Sequence, residues 1–133
     1  GATRHWAKGV ILWNLALDEK TGPHLGGCGN CRGVVTIDQS TGEVTRNVEY
    51  YVLGHASKFV RAGARRVESD TGIDGIETVA FQNPGRGTLV LIVLNASNQP
   101  KTVSITSGSD NIATSIPAGA IETFEWKPGR ASK

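Results

Sequence analysis

The sequence predicts a mainly β fold: an antiparallel β-sandwich preceded by one strand and one helix. Three observations predict it. After residue 64 the apolar residues come in short runs, separated by turn signals such as Asn83-Pro84-Gly85 and Pro117-Ala118-Gly119. One run, residues 89–94, is apolar without alternation, as a central strand packed on both sides is. Only one segment before residue 64 carries a helical period. The chain has 133 residues, 17 of them glycine and 38% hydrophobic, which suits a turn-rich β protein with a real core better than a helical one.

Taken in order, residues 9–17 read as a strand. Val10, Ile11, Leu12, Trp13, Leu15 and Leu17 crowd both of its faces. A strand of that kind belongs inside a layered sheet or barrel, yet the rest of the sequence offers it no partner. It reads as a piece of something larger. Residues 18–33 form a long loop with Gly22-Pro23, Gly26-Gly27 and Cys28-Gly29-Asn30-Cys31. Long ordered loops are often functional. Residues 34–37 and 43–45 flank Asp38-Gln39-Ser40-Thr41-Gly42 and predict a small hairpin.

Val48, Tyr51, Val52, His55, Ala56 and Phe59 then recur at helical spacing, the stripe of a helix packed on one face. Asn47 is placed to cap its first turn, Lys58 suits its last turn, and Gly63 lies just past its end. From residue 64 the period becomes that of strands, at 65–68, 75–82, 88–94, 101–106, 111–115 and 120–126. Short strands at this spacing predict an antiparallel sandwich. The expected domains are 1–62, with the terminal strand, cysteine loop and helix, and 63–133, the sandwich.

Charge excludes some functions. Fourteen basic and twelve acidic residues leave a net charge of +2, too balanced for nucleic acid binding. Arg61, Arg65 and Arg66 read as solvated surface. No run approaches 18 apolar residues, so no membrane span is expected. No signal peptide is visible.

Few residues point to chemistry. Trp13 and Asn14 suit a sugar site: an aromatic ring stacks on a sugar face and an amide bonds a hydroxyl. The alternative is a packed tryptophan beside a turn asparagine. His24, in the glycine-rich loop, is a candidate pocket residue. His55 reads as a core histidine bonded to backbone. The three histidines share no metal-ligand spacing, and two cysteines alone are an incomplete zinc site. Cys28 and Cys31 read first as a loop-pinning disulfide, which would favour an oxidising, secreted or extracellular setting. Free thiols and metal or redox chemistry remain the other readings. Adjacent Asp18 and Glu19 cannot face one another across a glycosidic bond, as a catalytic carboxylate pair must, and read as loop charge. Ser57 and Ser69 lack the nucleophile-elbow pattern. The glycines lack a phosphate-loop pattern, so no cofactor is expected.

Several phrases together resemble a known family. Trp13-Asn14-Leu15-Ala16-Leu17, then Gly22-Pro23, then Leu53-Gly54-His55-Ala56-Ser57-Lys58-Phe59, then Gly63-Ala64-Arg65-Arg66-Val67 are similar to the C-terminal part of glycoside hydrolase family 30, the glucosylceramidase-like enzymes. The resemblance runs from about Trp6 through Trp126. It implies that residues 9–17 are the eighth strand of a (β/α)8 barrel, 48–60 its last helix, and the remainder a sandwich fused beside it. It implies a parent activity of retaining hydrolysis on β-linked glucosides, such as glucosylceramide-like or β-glucan substrates. The family's two catalytic glutamates belong to strands four and seven, which have no counterpart here, so no catalytic residue is assigned and the isolated chain is expected to be inactive. Trp13 and Asn14 correspond to the family's pair at the rim of strand eight, beside the sugar site.

Three readings follow. The chain is the noncatalytic C-terminal portion of a retaining glycosidase, or an independent carbohydrate-binding module, or a structural interaction domain. A binding module would need an exposed aromatic platform, and Trp126 on an outward face would supply one. In the first and third readings another polypeptide, a catalytic barrel or a second copy, covers the apolar surface of residues 9–17 and the helix.

Overall fold

The computed structural model describes residues 1–70, 72–85 and 87–127. The end of the expected 63–133 domain, residues 128–133, lies outside the described residues. Two compact units are present: one is Ala7–Gly54, and the other joins Gly1–Trp6 to the residues from His55 onward.

The Ala7–Gly54 unit holds a three-stranded sheet in the order β1 (Ala16–Asp18), β2 (Val35–Ile37), β3 (Val44–Arg46). β1 runs parallel to β2 with Ala16 opposite Val35, and β2 and β3 form the expected hairpin. The parallel pair is close because Gly33 has no side chain. A Cβ there would lie 2.8 Å from the Val35 carbonyl oxygen and 2.9 Å from the Leu17 nitrogen. Leu17 and Val34 are the buried hydrophobic residues of this unit.

The hairpin turn is built on Asp38. One of its carboxylate oxygens accepts from the Ser40 amide (2.9 Å), the Ser40 hydroxyl (2.6 Å) and the Thr41 amide (2.8 Å). These donors, the Ser40 hydroxyl first, hold its pKa at about 2, below its ordinary 3.8. Gly42 closes the turn at φ 74°, in the left-handed region that glycine adopts without strain.

The expected strand at 9–17 is corrected. Regular pairing covers only Ala16–Asp18, and this strand has a partner, β2. The Asn14 and Leu15 carbonyls accept from Val34 and Val35, so the chain joins β2 from residue 14 onward. Among the described residues nothing pairs with 9–13. Without neighbours on both flanks these residues have no ladder to join.

The helix forms where the period predicts it, as α1 (Val48–Ser57), with the Phe59 and Val60 amides turning back onto the Ala56 carbonyl. Its stripe is not packed as expected: none of its residues is buried, and Val48, Tyr51 and Val52 are exposed. Asn47 does not cap it through its side chain. That amide donates to the Gly33 carbonyl (2.9 Å) and the Thr36 hydroxyl (3.0 Å), tying the helix start to β2, while its backbone oxygen accepts from Tyr50.

The other unit is the sandwich. One sheet has the order β4 (Arg65–Val67), β5 (Ile76–Gln82), β6 (Leu89–Asn95), β9 (Ile121–Trp126); the other pairs β7 (Lys101–Ser107) with β8 (Asp110–Ile116). All pairings here are antiparallel. Ile76, Ala80, Leu91 and Val93 of the larger sheet meet Val103 and Ile116 of the smaller one, with Phe124 and Trp126 packed against them. β6 is the central strand that its unbroken apolar run predicts: Val90 and Ile92, on its opposite face, are buried too.

His55 belongs to this unit and is corrected: its Nδ1 bonds the Thr123 hydroxyl at 2.8 Å, not backbone. The N-terminal helical turn Ala2–His5 also belongs here. Arg4 donates to the Thr78 carbonyl (3.2 Å), and the Arg66 guanidinium lies 4.0 Å from the Trp6 ring centroid.

Two asparagines, one in the predicted Asn83-Pro84-Gly85 turn and one just past the predicted strand 88–94, are interior. Asn83 is 2% exposed; its amide donates to the Phe59 carbonyl and the Thr88 hydroxyl and accepts from the Arg61 nitrogen. Asn95 is 0% exposed. Its NH2 reaches the carbonyls of Gln99 (2.8 Å), Ile116 (3.1 Å) and Pro117 (3.1 Å), and its oxygen accepts from the Ser97 amide and hydroxyl.

Asn95→Ala removes its amide from all three carbonyls, of which Gln99 keeps the Ser97 hydroxyl and Pro117 the Ala120 amide, and is expected to destabilise the sandwich by about 1–3 kcal/mol, measured by urea denaturation at pH 7. Asn95→Asp keeps the shape but removes the donors, and should be no better tolerated. In the hairpin, the Asp38 carboxyl carbon should titrate by NMR near 2 rather than 3.8. Because folding depresses this pKa, its contribution to stability is complete above pH 3.8 and is lost as pH falls through about 2.

Candidate functional site

The sequence-selected residues all lie in the Ala7–Gly54 unit, just before β1 and in the loop after it. Trp13 and Asn14 precede β1 rather than standing at its far end, since the strand begins at Ala16. The Trp13 side chain is 75% exposed in this chain. Asn14 is half-buried, and its Oδ1 accepts from the Ala16 amide at 3.1 Å. That bond orients the side chain at the start of β1, and its NH2 has no hydrogen-bond partner among the described residues.

The loop after β1 is organised by Asp18. Its carboxylate accepts from the Lys20 amide (2.9 Å) and the Gly22 amide (2.7 Å), while its own amide donates to the Gly22 carbonyl (2.7 Å). Glu19 accepts from the Gln39 amide at 3.0 Å. Both carboxylates thus hold backbone. Further along, the Gly22–Pro23 peptide is cis, and the Thr21 hydroxyl donates across the loop to the Gly29 carbonyl at 2.9 Å. The Sγ atoms of Cys28 and Cys31 are joined in a disulfide, with their Cα atoms 5.4 Å apart. Arg32 and Glu49 close the loop onto α1 through a 3.0 Å ion pair. The Arg32 hydrogen bond holds the Glu49 carboxyl below its ordinary pKa. His24 is exposed on this loop, and among the described residues no hydrogen bond joins it to Trp13 or Asn14.

In this unit the carboxylates of Asp18, Glu19, Asp38 and Glu49 are engaged by backbone amides, the Ser40 hydroxyl and Arg32. A glycosidase acid needs a raised pKa and a second carboxylate across a cleft. The carboxylates that depart from their ordinary values, Asp38 and Glu49, both move down. No group of three His, Cys, Asp or Glu able to hold a metal occurs among the described residues.

The apolar surface that the sequence expects another polypeptide to cover lies open in this unit. Ile11 is 97% exposed and Leu15 73%, and Val10, Leu12, Trp13, Val48, Tyr51 and Val52 are open as well. Residues 10–13 and the first turns of α1, apolar in the sequence, find no cover in the sheet that β1 joins.

Comparison with known proteins points to one family. Residues 63–124 match the family model described as the glycosyl hydrolase family 30 beta sandwich domain. The chain is 32% identical to the endo-1,6-beta-D-glucanase BGN16.3 of Trichoderma harzianum, over 93% of its own length and 26% of that protein's. It is 36% identical to the endo-1,6-beta-D-glucanase neg1 of Aspergillus fumigatus, over 82% of this chain and 23% of the relative. Among solved structures, the endo-beta1,6-glucanase BT3312 superposes with a TM-score of 0.84 at 33% identity, covering 96% of this chain and 28% of that one. The chain therefore spans about a quarter of the length of the relatives it matches.

Trp13→Ala is expected to change stability by less than about 0.5 kcal/mol, because the ring is already in water. Leu17→Ala, at a buried position, should cost about 2–5 kcal/mol. Equal losses in urea denaturation would contradict the exposed placement of Trp13.

Proposed function

We propose a function from one premise: this chain carries the β-sandwich domain of glycoside hydrolase family 30 and corresponds to the C-terminal portion of that family's enzymes. Within such an enzyme the chain is the noncatalytic partner of the barrel. Residues 9–17 and α1 complete the barrel wall, and the sandwich braces it. The parent reaction is retaining hydrolysis of a β-glucan, and the relatives named as endo-1,6-β-glucanases favour a β-1,6-linked main chain. Both catalytic glutamates come from the rest of the enzyme. Trp13 stacks on a glucosyl ring, the Asn14 NH2 bonds a hydroxyl, and His24 borders the site from the loop. Secretion fits the Cys28–Cys31 disulfide, a bond that persists in oxidising surroundings.

The observation that carries this reading is the apolar surface of residues 10–15 and the first turns of α1. Soluble monomers rarely leave so many large side chains in water, and covering each contributes roughly 1.5–3 kcal/mol. A barrel edge is such a cover. The binding-module reading loses its platform, because Trp126 packs against the sandwich core.

The test is a chimera in which this chain replaces the matching C-terminal portion of the endo-β1,6-glucanase BT3312. The chimera is expected to release reducing sugar from linear β-1,6-glucan, while the chain alone releases none. Trp13→Ala in the chimera should lower kcat/KM by about tenfold, the loss of roughly 1.4 kcal/mol of stacking. Turnover by the chain alone would overturn the noncatalytic reading. Unchanged kinetics in Trp13→Ala would remove that residue from the site.

A further inference from the structure

Residues 21–29 form a closed hoop after β1. At one end stands Thr21, whose backbone has φ 64°. That is the left-handed region, and a β-branched residue there is a true outlier. Glycine would sit in it without strain, so the threonine side chain must supply something that glycine lacks. Strain of this kind collects where function needs a fixed geometry.

The hydroxyl is what Thr21 adds. Its oxygen lies 2.6 Å from the Lys20 carbonyl oxygen and 2.9 Å from the Gly29 carbonyl oxygen, one hydrogen shared between two acceptors. The Gly29 contact closes the hoop. Backbone bonds hold the same end: the Thr21 amide donates to the Asp18 carbonyl at 3.0 Å, and the Gly22 amide to the Asp18 carboxylate at 2.7 Å.

At the other end the Cys28–Cys31 bridge brackets Gly29 and Asn30. A cross-link across so few residues removes less chain entropy from the unfolded state than one that closes a long loop. No residue from 23 to 30 is buried. The effect of the bridge is therefore local: it fixes Gly29, whose carbonyl the Thr21 hydroxyl meets. Between the two ends His24 and Leu25 stand open to water, followed by Gly26 and Gly27 at φ 74° and 77°. Among the described residues no hydrogen bond reaches Pro23 to Gly27.

We infer that Thr21 is a positioning residue for the sugar site, and that the Cys28–Cys31 bridge holds the carbonyl it acts through. Thr21 draws the first half of the hoop onto the second. The closed hoop presents His24 and Leu25 to a glucosyl unit, the imidazole to a hydroxyl and the leucine side chain to the C–H face of the ring. A loop ordered before substrate arrives removes that ordering cost from binding. The inference deepens the proposed function and rests on it in one respect, the placing of His24 beside the sugar site.

The test compares Thr21→Gly, Thr21→Ser and the double variant Cys28→Ser/Cys31→Ser in the BT3312 chimera, with linear β-1,6-glucan as substrate. Thr21→Gly relieves the backbone and removes the hydroxyl. Its KM is expected to rise about fivefold with kcat within about twofold, while its urea midpoint is no lower than that of the unsubstituted protein. Thr21→Ser keeps the hydroxyl and should keep KM within about twofold. The cysteine variant should raise KM as Thr21→Gly does. An unchanged KM in Thr21→Gly would overturn the inference, as would equal losses in Thr21→Ser and Thr21→Gly. A rise in KM matched by a lower urea midpoint would mark a merely structural role and overturn it too.

A second readout needs no hydrolysis. In the isolated chain, NMR order parameters of the His24 and Leu25 amides are expected to fall below about 0.6 in Thr21→Gly and in the cysteine variant, and to stay above it in Thr21→Ser. Equal order in every variant would overturn the hoop itself. An inactive chimera would count against the glycosidase reading and leave this readout in force, so the two failures are distinguishable.

Discussion

The sandwich depends on one buried side chain. Asn95 ends the central strand β6, and its amide gathers the carbonyls of Gln99, Ile116 and Pro117 while its oxygen holds Ser97. Those groups lie just before β7, at the end of β8 and just before β9. One residue thus fixes where the chain leaves one sheet, enters the other and returns. Hydrophobic contact between Leu91, Val93, Val103 and Ile116 supplies the attraction, but it is non-directional and would not set the register. Hydrogen bonds with every partner satisfied do so at little cost in burial. Asn83 serves the opposite end, tying the segment after α1 to the β5–β6 turn.

The Ala7–Gly54 unit is held differently. Its ordered part is small: a parallel contact that Gly33 permits, a hairpin turn wound on Asp38, and a loop fastened by Asp18, the disulfide and the Arg32–Glu49 pair. These bonds fasten the loop and the hairpin. They leave Val10, Ile11, Leu12, Trp13 and Leu15 exposed. The functional reading follows from that imbalance: polar groups are locally satisfied, while apolar groups await a surface that this sheet does not provide.

Much of this was legible in the sequence. The central strand was announced by the unbroken run at 89–94, the hairpin by Asp38 to Gly42, and the helix by its 3.6 period. The phrase around Leu53 to Phe59 pointed to the family. Two kinds of feature were hidden. Asn83 and Asn95 read as ordinary turn residues, because a turn asparagine in water and one that gathers three carbonyls look alike in one dimension. The stripe of α1 and the run at 9–17 gave the right property, apolarity, but not its destination. Periodicity tells which side must be covered and is silent on whether the cover belongs to the same chain. For that reason the strand shrank to Ala16–Asp18 and the stripe lay open.

The central claim is that residues 10–15 and α1 form a surface made for a glycosidase barrel. Native mass spectrometry tests it most directly, on the chain mixed with the barrel-bearing portion of the endo-β1,6-glucanase BT3312. The account predicts a one-to-one complex, with the chain failing to pair with itself. A stable homodimer that excludes the barrel, or a monomer that persists in its presence, would contradict it.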